Sequence, residues 1–519
     1  MIDCLFVNPS NQSEIYQGLS TKYSAIEPPT WILLLAQSLR SQGYVVQILD
    51  TNAENLSDEE SLERINSLKP RLICFVVYGQ NVNSGCVGMS GATRLSKFLR
   101  DRFLNIPIGF IGSYVQALPK KTLLEEPSID FVFNGEGVYS LWNLLKKWRI
   151  DINDLGDVKG LVWRKNGEIV FNEPERIVSS ANMDRDLPGY AFDLLPFKEK
   201  PLDLYRSPMW HAGYVEENRS PYAAIQTSIG CPFACHFCMI NTINKSDNAE
   251  VAVAGNYSGS RHWSPEFIIT VFDQLVELGV KTIKITDELF FYDKRRYQPL
   301  LEKIVERGYG DKLNLWIYSR IDVLAKDEVL DLARRAGVKF IALGIEASRR
   351  EVRLEISKGK FQDVDIRKVV KRVEDAGIEV IANYIFGLPK ETKESMQETF
   401  DLAVELNTMA FNAYAATLLA GTHLYSEALK NGEKVPEKYS EFSFHSYDAI
   451  CGHTDSLTAA EILEFRDKAY NLYHSNPKFL AKVEAKYGKK AAEDTLAMSK
   501  LTLKRKIIEE AKRNGDNKE

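Results

Sequence analysis

Three cysteines lie close together in the segment Cys231-Pro-Phe-Ala-Cys235-His-Phe-Cys238. Thiolates with this spacing can converge on one metal centre from a single tight loop, and soft thiolate ligands select zinc, copper(I) or iron–sulfur centres. A structural zinc site requires four ligands, but there is no further C-x-x-C pair, and the neighbours of His236 leave it poorly placed as the fourth. A [4Fe–4S] cluster on three cysteines keeps one iron open for chemistry. The spacing favours such a cluster, with a zinc site or unligated thiols as alternatives.

The other cysteines carry weaker signals. The chain has seven cysteines in 519 residues, and an odd number in a long chain argues against a disulfide framework. Cys4 and Cys74 lie in apolar runs and are expected to be buried. Cys451 is the one candidate for a catalytic residue outside the cysteine loop, with a plainly packed cysteine as the alternative. The histidines are scattered along the chain and predict no zinc triad.

A repeating pattern of strands and helices surrounds the cysteine loop. Six apolar runs alternate with helical patterns, at residues 222–227, 282–286, 313–318, 340–345, 380–386 and 410–418. Six such units fit a partial (β/α) barrel, whose chemistry lies at the carboxyl ends of the strands. The cysteine loop follows the first of these strands directly. Ser264-Pro265-Glu266 predicts a helix start, with a capping hydroxyl and Pro at the first helical position.

The first 145 residues show a different alternation of short strands and helices. Apolar runs at residues 2–7, 44–49, 71–77, 106–111 and 129–133 lack polar alternation, which indicates a parallel sheet covered on both faces. Five strands predict a doubly wound, flavodoxin-like domain, whose ligands lie beyond the carboxyl ends of the strands. Small and amide residues at four of these ends suit a large polar ligand, with tight turns as the alternative. The candidates are Asn8, Gln80, Gly112, Ser113, Gly135, Glu136 and Gly137.

These patterns divide the chain into four parts: a doubly wound domain at 1–145, a connector at 146–215, a barrel at 216–425 and a helical region at 426–519. Within the connector, Asn166-Gly167 between two short apolar runs predicts a β-hairpin. In the last part, residues 457–473 form the clearest helix. A chain of this length exceeds one hydrophobic core, so several domains are expected.

Composition excludes several classes of function. The chain is 45% hydrophobic and 26% charged, near the average for globular proteins. A net charge of -5 gives no electrostatic reason to expect nucleic acid or an anionic membrane as partner. The longest apolar runs are far shorter than the roughly 20 residues that span a bilayer. The start, MIDCLFVNPS, lacks the features of a signal peptide, so a cytoplasmic location is expected.

The C-x3-C-x2-C loop after a first barrel strand resembles the signature of the radical S-adenosylmethionine superfamily, including the aromatic Phe237 before the third cysteine. The resemblance implies that Cys231, Cys235 and Cys238 hold a [4Fe–4S] cluster. It implies further that the open iron chelates S-adenosylmethionine and that reductive cleavage yields a 5′-deoxyadenosyl radical. An external one-electron reductant of the flavodoxin or ferredoxin type is implied as a partner.

The resemblance extends to polar residues at the ends of later barrel strands. Members of the family bind S-adenosylmethionine at such positions, which here are occupied by Asp287, Glu288, Arg320, Glu346 and Lys358. The residue types suit the ligand, because its ammonium group needs a carboxylate, its carboxylate needs a cation and its ribose needs acceptors. Taken singly, each could equally be a surface charge or a helix cap.

The first domain, followed by the barrel and helical tail, is similar to the cobalamin-binding subgroup of that superfamily. Pro28-Pro29, Asp50 and the Gly135-Glu136-Gly137 turn match. One departure is that the D-x-H-x-x-G motif, which supplies a lower histidine ligand to cobalamin, is absent, and the first histidine is His211. Cobalamin is therefore expected to bind without a histidine from this domain. A degenerate domain that binds no cobalamin is the alternative.

The resemblance implies a cobalamin-dependent radical C-methyltransferase that acts on a small molecule. Two alternatives remain at this stage. One is a non-methylating member of the same subgroup, such as a radical cyclase of tetrapyrrole rings. The other is a cobalamin or iron–sulfur sensor that binds without turnover, against which the polar residues at the barrel strand ends argue.

Overall fold

The computed structural model describes residues 2–10, 15–20, 22–79, 81–102, 105–148, 154–325, 329–357, 361 and 363–516. Two of the candidate ligand-binding residues, Gln80 and Lys358, lie outside the described residues. The described chain forms a seven-stranded sheet, a six-stranded sheet and a two-stranded ribbon.

The first sheet contains the five parallel strands that the sequence predicts. They are β1 (Cys4–Asn8), β2 (Val46–Asp50), β3 (Ile73–Val77), β4 (Ile108–Gly112) and β5 (Phe131–Phe133). Their spatial order, β2-β1-β3-β4-β5, is that of flavodoxin-like folds, so the predicted fold class of this domain is confirmed. The register pairs Asn8 with Asp50 and Val77 with Gly112, which places the carboxyl ends of neighbouring strands at one edge.

Helices cover both faces of this sheet. They are α1 (Thr30–Ser41), α2 (Asp58–Leu68), α3 (Gly85–Asp101), α4 (Ser113–Ala117), α5 (Pro119–Glu125) and α6 (Val138–Trp148). Helix α2 begins with a capping box, in which the Ser57 side chain accepts from the Glu60 backbone and the Glu60 carboxylate accepts from the Ser57 backbone. Helix α1 buries its apolar residues almost all round, because it lies between the sheet and the following segment.

The predicted hairpin forms, and it extends the first sheet. Strands β6 (Leu161–Lys165) and β7 (Glu168–Phe171) pair antiparallel, and β6 also pairs with β5. Asn166 and Gly167 both have positive φ, at 53° and 87°, as a two-residue type I′ turn requires. The first part of the predicted connector therefore completes the edge of the first sheet. Helix α7 (Met183–Asp186) follows it.

The second sheet is an open, six-stranded half-barrel, as predicted. Its parallel strands lie in chain order: β8 (Tyr222–Ile225), β11 (Thr282–Ile285), β12 (Asn314–Arg320), β13 (Val338–Glu346), β14 (Glu379–Phe386) and β15 (Ala410–Ala415). The sequence did not reveal a two-stranded ribbon that follows the first barrel strand. It pairs β9 (Ser228–Cys231), which ends at the first cysteine, with β10 (Gly259–His262).

Helices connect the barrel strands on the outside. They are α8 (Pro265–Glu277), α9 (Lys294–Glu306), α10 (Ile321–Leu324), α11 (Leu330–Arg335), α12 (Arg350–Ile356), α13 (Ile366–Asp375) and α14 (Lys393–Leu406). Helix α8 begins where the sequence predicts. The Ser264 hydroxyl accepts from the Phe267 backbone N–H at 3.1 Å, and Pro265 occupies the first helical position.

The last part of the chain is helical, as predicted. It contains α15 (His423–Lys430), α16 (Ala459–His474), α17 (Pro477–Tyr487), α18 (Lys489–Ser499) and α19 (Lys506–Asp516). Helix α16 lies along the final barrel strand: Arg466 Nε donates to the Ala413 carbonyl at 2.6 Å, and the Tyr473 ring stacks on Phe411. No helix in the described ranges is long and apolar enough to cross a membrane.

Two buried ion pairs join the first domain to the barrel. Glu136 pairs with Arg261 of β10 at 2.7 Å, and Glu27 pairs with Lys284 of β11 at 2.7 Å. All four side chains are at most 8% exposed. Because a buried charge is tolerated only when it is paired, each pair fixes the position of one domain against the other.

The Glu136–Arg261 pair yields a stability prediction. Glu136→Ala should destabilise the protein by about 3–5 kcal/mol, because it leaves the Arg261 guanidinium buried without its counter-charge. Glu173→Ala, which removes an exposed partner of Lys159, is the matched control and should leave the melting temperature unchanged. Thermal unfolding followed by circular dichroism measures both. Equal melting temperatures for the two variants would contradict a structural role for the buried pair.

Candidate functional site

The start of the three-cysteine loop is held by one amide side chain. Asn241 Oδ1 accepts from the Cys231 backbone N–H at 2.8 Å, and its Nδ2 donates to the Phe233 carbonyl at 2.9 Å. Within the loop, the Cys238 N–H donates to the Cys235 carbonyl at 3.1 Å, which closes a turn. Asn241 is 1% exposed, so the loop is fixed by buried hydrogen bonds before any metal binds.

The residue before the first cysteine must be glycine. Gly230 has a φ of +82°, and a Cβ atom there would lie 2.3 Å from the Gly259 carbonyl oxygen. The close approach lets strand β10 pair with β9 directly behind Cys231. The ribbon therefore ends at Cys231, which lines the cavity described next.

All three thiols line one large cavity. Cys231 is buried, and Cys235 and Cys238 are half-buried. Burial raises the pKa of Cys231 to about 12 and that of Cys235 to about 11. The metal-free thiols are therefore protonated at neutral pH, and a metal centre must displace these protons when it binds.

His236, between the second and third cysteines, lies close to His423 and Glu427. Its ring centroid lies 4.2 Å from that of His423, and His423 Nε2 lies 3.2 Å from Glu427 Oε1. The ligand atoms of these three residues lie within 4.8 Å of one another. The sequence predicted no histidine triad, since His423 and Glu427 come from α15, far along the chain.

The cavity, of about 630 Å³, is shared by the two domains. Asn8, Gly79 and Asn81 from the strand ends of the first sheet line it together with the three cysteines. The Asn83 side chain joins the two walls: its Oδ1 accepts from the Met239 N–H at 2.9 Å, and its Nδ2 lies 3.6 Å from Cys238 Sγ. A ligand on the first sheet and one on the cysteines would therefore occupy one chamber.

Three of the residues expected to bind S-adenosylmethionine line this chamber: Glu288, Arg320 and Glu346. Burial raises the pKa of each of the two carboxyl groups to about 7. The carboxyl groups have no hydrogen-bond partner within the part of the chain that the structure describes, so they are available to an ammonium group or to ribose hydroxyls.

Arg320 supplies a cation at the same end of the barrel. Its Nε and Nη2 donate to the two carboxylate oxygens of Asp322 at 2.6 and 2.7 Å. Its guanidinium carbon lies 3.7 Å from the ring centroid of Phe233 in the cysteine loop. Asp322 and Phe233 hold the guanidinium in place, and the charge faces the chamber.

Asp287 has a different environment from its neighbour Glu288. Its carboxylate accepts from the Thr227 N–H at 2.6 Å, the Thr227 hydroxyl at 2.5 Å and the Ser228 hydroxyl at 2.6 Å. These bonds shape the turn from β8 to β9, and Asp287 does not line the chamber. Its assignment to S-adenosylmethionine stays a prediction, as does that of Lys358.

Of the residues expected at the cobalamin site, some line the chamber and others pack away from it. Asn8 lines the chamber and donates from Nδ2 to Asp50 Oδ1 at 2.8 Å. Gly112 and Ser113 pack inside the first domain: a Cβ on Gly112 would lie 2.4 Å from the Val77 side chain, and Ser113 Oγ donates to the Val82 carbonyl at 2.6 Å.

The Gly135-Glu136-Gly137 turn lies at the domain interface and away from the chamber wall. Glu136 is engaged with Arg261, and a Cβ on Gly137 would lie 2.7 Å from Ile111. The wall at this edge comes instead from Gly79 and Asn81, at one of the four strand ends that the sequence pointed to, and from Asn83, Ser84 and Gly88, which the sequence analysis passed over. Their signal was a run rich in small and amide residues after the third strand.

Cys451 lies apart from the chamber. Its thiol is 3% exposed and lies 3.5 Å from the Ala459 carbonyl oxygen, and burial raises its pKa to about 12. The environment is that of a packed cysteine. A catalytic role for it stays a prediction.

Two charged residues in the chamber wall were missed by the sequence analysis. Lys284 sits in the middle of the apolar strand β11, and its ammonium group lies 2.7 Å from Glu27 and 4.3 Å from the Trp316 ring centroid. A lysine inside a buried strand was the available signal. Glu27, 257 positions away, gave none.

The cysteine loop yields a test of its metal. Purified and reconstituted without oxygen, the protein should be brown and contain about four irons. Cys231→Ala, Cys235→Ala and Cys238→Ala should each lose most of this iron. Cys451→Ala removes a buried cysteine outside the chamber and is the matched control, which should retain it. Full iron and sulfide in the triple alanine variant would refute the assignment.

Comparison with known proteins agrees with this arrangement. The model of the radical SAM superfamily matches residues 225–403, and that of the B12 binding domain matches residues 16–145. The first range contains the three cysteines and four complete barrel strands, and the second contains four strands of the first sheet with the wall from Gly79 to Gly88.

Relatives align over most of the chain. An uncharacterized methyltransferase of Pyrococcus horikoshii is 25% identical over 487 residues, which cover 92% of this chain and 94% of that protein. The anaerobic magnesium-protoporphyrin IX monomethyl ester cyclase of Cereibacter sphaeroides is 25% identical over 448 residues, covering 85% of this chain and 65% of the cyclase.

Solved structures share the fold. The radical S-adenosylmethionine methyltransferase TsrM from Kitasatospora setae, with cobalamin and a [4Fe–4S] cluster bound, superimposes with a TM-score of 0.66 at 17% identity, covering 96% of this chain and 99% of that chain. The two family models meet at the chamber, one supplying the strand-end wall and the other the cysteine loop. The chain therefore combines a domain of the radical SAM superfamily with a B12 binding domain.

Proposed function

We propose that this enzyme is a cobalamin-dependent radical C-methyltransferase that acts on a small molecule. The observation that carries the proposal is the shared chamber, in which Asn83 of the first domain touches Cys238 of the cysteine loop. Transfer of a methyl group to an unactivated carbon needs a methyl carrier and a hydrogen-abstracting radical within reach of the same carbon. A chamber walled by both domains meets this need.

When bound, the cofactors would supply the difficult chemistry: Cys231, Cys235 and Cys238 would hold a cluster able to reduce S-adenosylmethionine, and the first domain would hold cobalamin as the methyl carrier. The chain's own residues position these groups. In this proposal Glu288 accepts from the ammonium group of S-adenosylmethionine, Arg320 pairs with its carboxylate, and Glu346 accepts from its ribose hydroxyls. Lys358 retains its proposed role at this ligand.

The first domain is proposed to hold the corrin ring over its strand ends without a histidine ligand. Asn8, Asn81 and Ser84 offer hydrogen-bonding side chains at the chamber wall. Gly79 and Gly88 leave the backbone open to close approach.

The proposed enzyme needs an external electron donor and a reducing environment. The cluster needs one-electron reduction, so we expect a flavodoxin or ferredoxin as external donor. All seven cysteines are free thiols, which supports a reducing, cytoplasmic location.

A second candidate function is radical cyclisation without methyl transfer. It is favoured by the similarity to the magnesium-protoporphyrin IX monomethyl ester cyclases, which covers 85% of this chain in one case. A sensor without turnover is the third candidate. The carboxyl groups of Glu288 and Glu346, which have no hydrogen-bond partner among the described residues, argue against it, because a passive cluster has no need of them.

The cobalamin assignment predicts a spectroscopic signature. Purified with cobalamin supplied, the protein should retain a corrinoid with its characteristic visible absorbance. The paramagnetic Co(II) form should show no nitrogen superhyperfine splitting, because the first domain contains no histidine. Clear splitting would mean that a nitrogen ligand binds cobalt. Failure to retain any corrinoid would favour the degenerate domain.

The methyltransferase assignment predicts two products from S-adenosylmethionine. With reductant and substrate, S-adenosylhomocysteine and 5′-deoxyadenosine should rise together, roughly one to one. Mass spectrometry with methyl-labelled S-adenosylmethionine should find the label in the product. Cys238→Ala should abolish 5′-deoxyadenosine, since it removes a cluster ligand. If only 5′-deoxyadenosine forms and the product gains no methyl group, the cyclase-like function replaces the proposal.

A further inference from the structure

Five ring side chains wall one end of the chamber. Tyr16 follows β1, Tyr414 lies on β15, and Phe444, His445 and Tyr470 belong to the C-terminal region. All five line the cavity and are half-buried, although they lie inside the molecule. Their remaining exposed faces therefore look into the chamber. We call these five residues the aromatic box.

Four of the five rings of the box form a connected set. Ring centroids are 5.1 Å apart for Tyr16 and His445, 4.2 Å for Phe444 and His445, and 5.3 Å for Tyr414 and Phe444. These are the separations at which aromatic rings attract one another. A planar ligand ring bound in the box could lie at similar centroid distances from these side-chain rings.

Backbone contacts fix the box across three parts of the chain. Gln17 Nε2 donates to the His445 carbonyl at 2.7 Å, and Gln17 Oε1 accepts from the Lys504 N–H at 3.1 Å. Gln17 thus ties the segment after β1 to the C-terminal region. A box closed in this way is preorganised, and less entropy is lost when a ligand binds.

The charge behind the box is positive. Arg466 and Arg505 are buried and share one carboxylate: Arg505 Nε and Arg466 Nη1 each lie 2.9 Å from Asp467. The Arg466 guanidinium lies 5.0 Å from the Phe444 ring and 5.2 Å from the Tyr470 ring. Two cations with one anion leave a net positive charge on the side of Phe444 and Tyr470, which disfavours a cationic ligand there. Glu346 and Glu288 act on the other side of the box, at Tyr414.

His445 provides the one polar side-chain group of the box other than the tyrosine hydroxyls. Burial, with Arg466 and Arg505 nearby, holds its pKa well below the usual range, so the imidazole is neutral at pH 7. Its ring nitrogens have no hydrogen-bond partner among the residues that the structure describes. A neutral imidazole offers one donor and one acceptor, both available to a ligand.

We infer that the aromatic box holds the methyl-accepting substrate and that this substrate carries a planar aromatic or heteroaromatic ring, neutral or anionic, with a hydroxyl, carboxylate or ring nitrogen directed at His445. The inference rests on the proposed function, which requires a substrate in this chamber. A saturated ring of the same size gains the apolar contact but lacks the ring–ring attraction. A cationic amine meets the charge of Arg466 and Arg505.

The test uses the protein loaded with cluster, cobalamin and S-adenosylmethionine, without reductant. The probes are 2-naphthol and 2-naphthoate, with decahydro-2-naphthoate as the saturated counterpart and 2-naphthylmethylammonium as the cationic one. Isothermal titration calorimetry measures each. The two planar, non-cationic probes should bind at least ~10-fold more tightly than the saturated and cationic ones. Equal affinities for planar and saturated probes, or tighter binding of the cation, would overturn the inference.

Variants locate the bound probe. Phe444→Leu and Tyr470→Leu should weaken 2-naphthol about 10-fold, and His445→Phe should weaken it several-fold because the ring stays and the nitrogens go. Phe465→Leu is the matched control: it lies on α16 like Tyr470, but its ring packs against Phe386 at 5.3 Å and does not line the chamber. Retained cobalamin absorbance verifies the fold of each variant.

An unchanged affinity in the three box variants would overturn the inference. So would failure of the planar probes to bind, since it would mean that cobalamin or nothing planar fills the box. These results are separable from the proposed function, because they need no turnover. Probe binding without methyl transfer would contradict the methyltransferase alone. Methyl transfer without probe binding would contradict the aromatic box alone.

Discussion

The buried pair of Lys284 and Glu27 is the interaction on which the rest of the structure depends. Lys284 faces inward from the middle of a barrel strand, where an unpaired ammonium group would cost several kcal/mol. Its counter-charge comes from the other domain, at 2.7 Å. The first domain cannot leave the barrel without stranding one charge or the other. The two domains therefore share one fixed chamber.

Burial between the two domains also sets the protonation of the side chains in the chamber. Burial raises the pKa of Glu288 and of Glu346 to about 7, so both carboxyl groups can exchange protons near neutral pH. Arg320 is kept charged and oriented by Asp322. In the aromatic box, burial and the two nearby arginines hold the pKa of His445 well below its usual range, so its imidazole is neutral. The carboxyl groups of Glu288 and Glu346 suit the ammonium and ribose groups of S-adenosylmethionine, and the rings of the aromatic box suit an organic substrate.

Local patterns in the sequence sufficed to predict both sheets and the cysteine loop. Buried strand runs and the Asn166-Gly167 turn depend on neighbouring residues, so they can be read along the chain. The Glu27–Lys284 pair, the Asn83–Cys238 contact and the aromatic box join residues separated by more than 150 positions. A single sequence contains no signal for such partners. For the same reason, Asp287 and Glu288 look equivalent in the sequence, although only Glu288 faces the chamber.

The central claim is that one chamber holds both cofactors, and magnetic coupling between them tests it most directly. Electron paramagnetic resonance should be recorded on protein that contains both Co(II) cobalamin and the reduced, paramagnetic cluster. Spins in one chamber should broaden and split each other's signals, and this effect should vanish in Cys238→Ala, which lacks the cluster. A spectrum equal to the sum of the two separate signals would place the cofactors far apart and contradict the account.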